Sequence, residues 1–468
     1  MIAATGFPLV SSQHEEVLSS PLPRRARRPL FMRLARREDL DAKTALVIAL
    51  GEQLPIPLAV LGDELGAALC AVGLLEPLAD EPGWASSRLS LANLEGALVI
   101  ADAFRVSEDT VMAPGPGTAA LAALMPDVKG KRVLDLCAGP GSIAAVAAMR
   151  GGDVVATDLS ERCVAFMRAN ALLNGVDLDI RLGDLFEPVK GERFDVVLSH
   201  PPYIEQPDDV EAVMFMHGGE RGDELPYVVL EGMSDVLAPG GQALVEFHAT
   251  GTPEDVGDRV HTICRTRGCD LVLVGRPVQD ADSRAVSSAF MHDPDFGDEF
   301  NEAAIRYRDH LDRIGHEGTA AIAYLRRPSD ESREPWATLL SSPRLPRTWE
   351  SLARYVEGID VLARGEGAIE GAKVRAPAGG TLVVEMPLSD GERTPGYSLS
   401  LPPASFAADR GLEPGAAQLL DVLCRSATVG DAIATFAAES GGEPEALRDN
   451  VLAFVRENVV RGALVIEP

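Results

Sequence analysis

Three aspartates stand where apolar runs end: Asp135 in "VLDLCAGPGS", Asp158 in "VVATDLS" and Asp184 in "RLGDLFEP". Each run reads as a buried strand, and in an open parallel sheet the carboxyl ends of successive strands share one crevice. After the first acid comes Gly139-Pro140-Gly141, a loop that lets backbone approach a ligand and points helix N–H groups at a carboxylate or phosphate. A pyrophosphate gains nothing from Asp135, whereas a positively charged ligand does. The alternative for an acid at a strand end is a cap or a turn, and Asp135 alone leaves the two balanced. Asp158, about 20 residues past the glycines, stands where a carboxylate accepts hydrogen bonds from both hydroxyls of a ribose. Asp184 can accept from an aromatic amino group, with Leu185 and Phe186 as apolar cover for the ring.

A fourth run, "FDVVLS", passes straight into His200-Pro201-Pro202-Tyr203. Proline has no N–H, so this corner presents carbonyl acceptors with few competing donors, and Tyr203 adds a flat face. It suits a planar NH₂ group, whose delocalised lone pair must be turned towards an electrophile by acceptors placed around its hydrogens. S-adenosylmethionine answers the pattern: its sulfonium and ammonium groups suit Asp135, its ribose Asp158 and its adenine Asp184. NAD is an alternative, because the glycines also fit a weak G-x-G-x-x-A fingerprint through Ala144, but its chemistry requires neither Asp135 nor the corner.

Together these residues resemble the class I S-adenosylmethionine-dependent methyltransferases. Within them the likeness is to the methyltransferase small domain group, which includes release-factor glutamine N5-methyltransferases and amino-methylating enzymes of nucleic acids. "RANALLNGV" and "HGGERGDELPYVVLEGMSDVLAPGGQALVEF" resemble that group as well, and the resemblance spans about Ala113 to Arg326. It implies that Asp135, Gly139, Gly141, Asp158, Asp184 and Leu185 hold the cofactor. Thr118, in "PGPGT", would then touch the methionine end, and His200, Pro201 and Tyr203 would position the acceptor. The group usually carries Asn or Asp before Pro-Pro-Tyr, and this chain has His200. A neutral imidazole accepts a hydrogen bond from NH₂, and it can also take a proton from a hydroxyl, which suits O-methylation. A third reading leaves His200 as a strand cap. His217, Glu246 and His248 could border the crevice, each balanced against surface exposure or plain packing, and Arg221 and Asp223 read as caps of the next helix.

The elements that must position these residues alternate strand and helix from about Asp127. Seven strands are expected, at Arg132–Cys137, Asp153–Asp158, Leu178–Leu182, Phe194–Ser199, Gln242–His248, Leu271–Arg276 and Thr319–Arg326. They make an α/β fold, a seven-stranded doubly wound Rossmann-like sheet flanked by small winged-helix-like α+β modules. The expected division is a basic, solvated arm at 1–38, a winged-helix-like module at 39–112 and the methyltransferase domain at 113–328. A mixed module ending in a winged-helix-like unit follows at 329–468. "DPDFGDEFNEAAIRYRDHLDRIG" inserts a helix and loop before the last strand, where it could border the site opening.

A net charge of −28 opposes long polyphosphate ligands, so nucleic acid is disfavoured and the acceptor is expected to be a protein, a peptide or a small molecule. No apolar run approaches the roughly 18 residues of a membrane helix, and no signal-type apolar segment follows the arginine cluster at 24–37. A cytoplasmic protein is expected. Six scattered cysteines without zinc-knuckle spacing read as reduced thiols, with no metal site. The function expected is methyl transfer from S-adenosylmethionine to a planar nitrogen such as a side-chain amide. The alternatives are O- or N-methylation of a small natural product or modified peptide with His200 as base, and a non-catalytic S-adenosylmethionine-binding sensor or scaffold. The end modules would serve as lids or as the interface of a homodimer.

Overall fold

The computed structural model describes residues 24–102, 109–211, 213–278, 280–292, 297–315, 317–330, 332–342, 345–385, 395–401 and 409–467. At the N-terminus, α1 (Arg24–Ala35), α2 (Ala42–Leu46), β1 (Ile56–Pro57), α3 (Gly62–Ala71), β2 (Glu76–Pro77) and β3 (Trp84–Ser86) surround a small core, with the strands paired antiparallel in the order β1-β3-β2. The second half of the basic arm is therefore helix. Phe31 and Leu34, one turn apart among the arginines, are buried against Leu46, Ile48 and Leu50.

The hairpin of β4 (Leu89–Leu94) and β5 (Ala97–Asp102) turns through Glu95 and Gly96, both at positive φ (50° and 92°). That is the two-residue turn whose twist suits a hairpin. Next come α4 (Pro116–Leu124), β6 (Arg132–Leu136), α5 (Ser142–Met149), β7 (Asp153–Asp158), α6 (Glu161–Asn174), β8 (Asp179–Leu182) and β9 (Phe194–Ser199). A short parallel pair, β10 (Ile204–Glu205) and β11 (His217–Gly219), leads to α7 (Glu224–Val236), β12 (Leu237–Thr250), α8 (Pro253–Thr266) and β13 (Asp270–Pro277). Then α9 (Ala281–His292) and α10 (Asp298–Ile314) are inserted before β14 (Gly318–Arg326) and β15 (Ala337–Ser341).

The seven runs read from the sequence all form strands of one sheet, in the order β15-β13-β14-β12-β9-β6-β7-β8. All pairs are parallel except those made by β14. Its eight strands correct the expected seven. β15, "ATLLS", is short and only partly buried, and nothing local distinguishes such an edge strand from a connector; its pairing with β13 carries the sheet past residue 328. Helix α5 is almost entirely small and apolar, "SIAAVAAM", and its first six residues are buried, so it lies close against the sheet.

The C-terminal unit holds α11 (Trp349–Ala363), α12 (Glu366–Gly371), β16 (Lys373–Arg375), β17 (Thr381–Glu385), β18 (Gly396–Ser400), β19 (Arg410–Leu412), α13 (Pro414–Arg425), α14 (Val429–Ser440), α15 (Pro444–Val460) and β20 (Val465–Glu467). β16 pairs with β20, and β17, β18 and β19 form a separate sheet. Among the described residues, no helix is long and apolar enough to cross a membrane.

Candidate active site

Because β6, β7, β8 and β9 are parallel, their carboxyl ends open on one cavity of about 470 Å³. Thr118, Asp135, Gly139, Asp158, Asp184, Leu185, His200, Pro201 and Tyr203 all line it. Gly141 does not: it turns the chain into α5 at φ 76°, and a Cβ there would sit 2.9 Å from Met167. Its requirement is steric. Cys137 also lines the cavity in a left-handed conformation (φ 59°), strain concentrated where β6 hands over to the glycine loop.

Asp135 is buried, and its Oδ2 accepts a 2.8 Å hydrogen bond from the Ala144 N–H in the first turn of α5. The capping role is thus occupied, and the residue also lines the cavity. Burial pushes its carboxyl up to about 7, with Asp158 adding to the rise and the Ala144 N–H and His200 opposing it. Asp158 ties the loop together: Oδ2 accepts from the Gly139 N–H at 2.8 Å and Oδ1 from the Ser160 N–H at 2.9 Å, while burial raises its carboxyl. Asp184 is exposed at the rim, and Leu185 beside it is at φ 42°.

At the other end, His200 follows the last residue of β9. Its Nδ1 lies 3.3 Å from Thr118 Oγ1 and its Nε2 lies 2.6 Å from Glu246 Oε2. Tyr203 stacks on His248 at 4.4 Å between centroids, and its ring is 5.5 Å from that of His200. Burial drives the Tyr203 hydroxyl upward and lowers His248. Glu246 is 4% exposed; burial alone would raise it, yet His200, His248 and Arg276 outweigh that and hold it below the ordinary carboxylate range. The α4 backbone seals this corner, since a Cβ on Gly117 would stand 2.7 Å from His200 Cε1 and 2.8 Å from Glu246 Oε2.

Met214 and Phe215, with Ser287, Ser288 and Met291 of α9, also line the cavity. The inserted element is thus a helical hairpin that borders the site. His217 lines no part of the cavity; its Nδ1 accepts from the Val213 N–H at 2.9 Å, which leaves Nε2 as the donor to Tyr307 OH of α10 at 2.8 Å. Asp223 stands at the N-cap position of α7, but its side chain makes no capping bond, its Oδ2 accepting from the Thr250 N–H instead. Glu246 is the residue whose part the sequence reading left undecided. An acid inside the otherwise apolar run "ALVEFHA" was the available signal.

The family profile described as methyltransferase small domain matches residues 112–220. A release factor glutamine methyltransferase of Deinococcus radiodurans is 28% identical over 234 residues, which cover 46% of this chain and 80% of that protein. A putative protein N5-glutamine methyltransferase of Methanocaldococcus jannaschii is 32% identical over 136 residues, 28% of this chain and 68% of that protein. The chain belongs to the methyltransferase small domain family. It is an S-adenosylmethionine-dependent methyltransferase. A ribosomal protein uL3 glutamine methyltransferase of Bradyrhizobium diazoefficiens is 30% identical over 129 residues, 25% of this chain and 40% of that protein.

The chemistry of the cavity lining fits S-adenosylmethionine. Ser142 and Thr157 line the cavity, and their buried hydroxyls have no partner among the described residues. Asp135 and Asp158 supply negative charge, and no lysine or arginine is found among the described lining residues. A ligand with a net positive end and no phosphate matches that lining.

Proposed function

We propose that this methyltransferase acts on a planar nitrogen, a side-chain amide of a protein or peptide. The observation that carries the reading is the His200-Pro201-Pro202-Tyr203 corner, which opens on the same cavity as Asp135, Asp158 and Asp184. In this reading Asp135, the glycine loop, Asp158, Asp184 and Leu185 hold S-adenosylmethionine, with Thr118 at its methionine end. The bound cofactor supplies an electrophilic methyl group on a sulfonium. The corner carbonyls and His200 Nδ1 accept hydrogen bonds from the acceptor NH₂ and aim its lone pair, while Tyr203 and the α9 wall exclude water. The amide-directed names of the relatives support the same acceptor class.

The second reading, O- or N-methylation of a small natural product or modified peptide, is favoured by the apolar wall of Met214, Phe215 and Met291, which suits an uncharged body. We also read the two end units as winged-helix-like modules acting as lids or as a dimer interface, in a cytoplasmic protein. Calorimetric titration with S-adenosylmethionine and separately with NAD tests the cofactor, and binding of the first alone is expected. Labelled methyl transfer into cell extract, split into protein and small-molecule fractions, tests the acceptor. Label on glutamine or asparagine side chains supports the amide reading, and label confined to small molecules overturns it.

A further inference from the structure

We propose that Glu246 is a positioning residue that fixes His200 as the proton acceptor of methyl transfer, an inference that rests on the methyltransferase reading above. The sheet register brings the two together. β9 and β12 are parallel neighbours with Ser199 paired to Val245, so the next residue on each strand, His200 and Glu246, stand side by side. On its other flank Glu246 pairs with Ile322 of β14. A carboxylate in the middle of a sheet carries a desolvation cost that an apolar residue would avoid, so folding alone gives no reason for it.

The pairing would fix the roles of the two nitrogens. Glu246 Oε2 lies 2.6 Å from Nε2, and Gly117 packs so closely that even a methyl group would strike both residues. The 2.6 Å contact is out of line for a hydrogen bond as it stands, and the proposed pairing needs a small turn of either side chain; because a carboxylate accepts only, that pairing puts the neutral ring's hydrogen on Nε2 and its lone pair on Nδ1. That lone pair faces Thr118 Oγ1 at 3.3 Å, a long contact on the cavity wall that an N–H or O–H of an acceptor can replace. As the acceptor nitrogen's electron pair forms the new bond to carbon, the sulfur–carbon bond breaks with its pair going to sulfur. The nitrogen's proton moves to Nδ1, and the resulting imidazolium is held by the adjacent Glu246 carboxylate until the proton leaves to water. An asparagine at this position, one of the two residues the family usually has, accepts a hydrogen bond but takes no proton. His200 with Glu246 does both.

The test is read on the full chain carrying ¹⁵N-labelled histidine, with S-adenosylhomocysteine bound. Imidazole proton–nitrogen correlations should show one His200 tautomer, protonated on Nε2, the signal being assigned by its loss in His200→Asn. In Glu246→Ala the ring should become a tautomer mixture or invert; an unchanged single tautomer in that variant overturns the proposal. Label transfer from S-adenosylmethionine into cell extract should fall about 100-fold in Glu246→Ala and in Glu246→Gln, and recover in part in Glu246→Asp. Rates within threefold of the parent in a variant that still binds S-adenosylmethionine also overturn it. S-adenosylmethionine binding by the unaltered protein is measured alongside. Its absence sinks the methyltransferase reading itself, whereas binding with no change of tautomer in Glu246→Ala sinks only the part given to Glu246.

Discussion

Asp135 holds two jobs that separate with pH. In the folded protein it keeps its proton up to about 7, while in the unfolded chain it releases it near the usual carboxylate value of about 4. Between those values the folded state binds the extra proton, so this group's contribution to stability declines as pH rises through the window. Only the ionised form attracts a cation. Affinity for S-adenosylmethionine should therefore rise as pH passes upward through about 7, by at most about tenfold per unit, in calorimetry on either side of that value. Asp135→Asn keeps an acceptor for the Ala144 N–H and removes the charge; it should bind at least about tenfold more weakly above pH 7, with the pH dependence flattened. A variant binding as tightly as the parent would leave Asp135 as a cap alone. Gly117→Ala tests the opposite end: its Cβ would push His200 and Glu246 apart, so turnover should drop about tenfold or more while S-adenosylmethionine affinity holds. At this scale the acids were legible because each ends an apolar run, and a parallel sheet gathers such ends. The meeting of His200 with Glu246 was not, because only the adjacency of β9 and β12 brings together residues so far apart in the chain.

At the scale of elements, α6 serves the site through two asparagines one turn apart. Asn174 exchanges both hydrogen bonds with Leu98, accepting from its N–H at 2.8 Å and donating to its carbonyl at 2.7 Å. Asn170 does the same with Ile100 and also donates to the carbonyl of Pro140 at 2.9 Å. The helix thereby presents to β5 the donors and acceptors that a neighbouring strand would, and it pins the glycine loop with the same side chain. Asn170→Ala strips partners from buried groups and should cost about 3 kcal/mol in denaturant unfolding, with weaker S-adenosylmethionine binding because Pro140 is released. Asn174→Ala touches no residue of the loop and should cost about 1 kcal/mol with affinity intact. Equal loss of affinity in both would make the effect one of general loosening. The sequence shows the asparagines inside "RANALLNGV" and the hairpin beyond them, but not that one covers the other. The α9–α10 pair was half legible for the same reason: its helical pattern is local, whereas its position at the cavity depends on the order of β13 and β14 in the sheet.

In the molecule as a whole, all described residues lining the cavity fall between Asp109 and Met291, so the C-terminal unit contributes none of them. It meets the sheet through an apolar core that Leu352, Tyr355 and Val356 of α11 share with Val272, Ile322 and Tyr324, and through a polar network around Arg326. Arg326, ending β14, donates from Nε and Nη2 to Asp270 at the start of β13 and, through both terminal nitrogens, to Asp360 of α11 at 2.8 and 2.6 Å. Asp360 also accepts from the Trp336 indole N–H at 2.9 Å, and Asp270, fully buried, from Arg333 and the Trp336 N–H. Removing the partly exposed end of this network, Asp360, should loosen α11 without exposing the sheet. Asp360→Ala is expected to cost about 2 kcal/mol locally, seen as a more than tenfold loss of hydrogen-exchange protection in α11 and in α15, which α11 contacts through the Tyr355 hydroxyl on the Val460 carbonyl. Protection in β6 and β9 and the affinity for S-adenosylmethionine should stay as they are. A fall in affinity would mean that β14 transmits the state of the C-terminal unit to Glu246, its neighbour across the β12 pairing, and so to the acceptor end of the site.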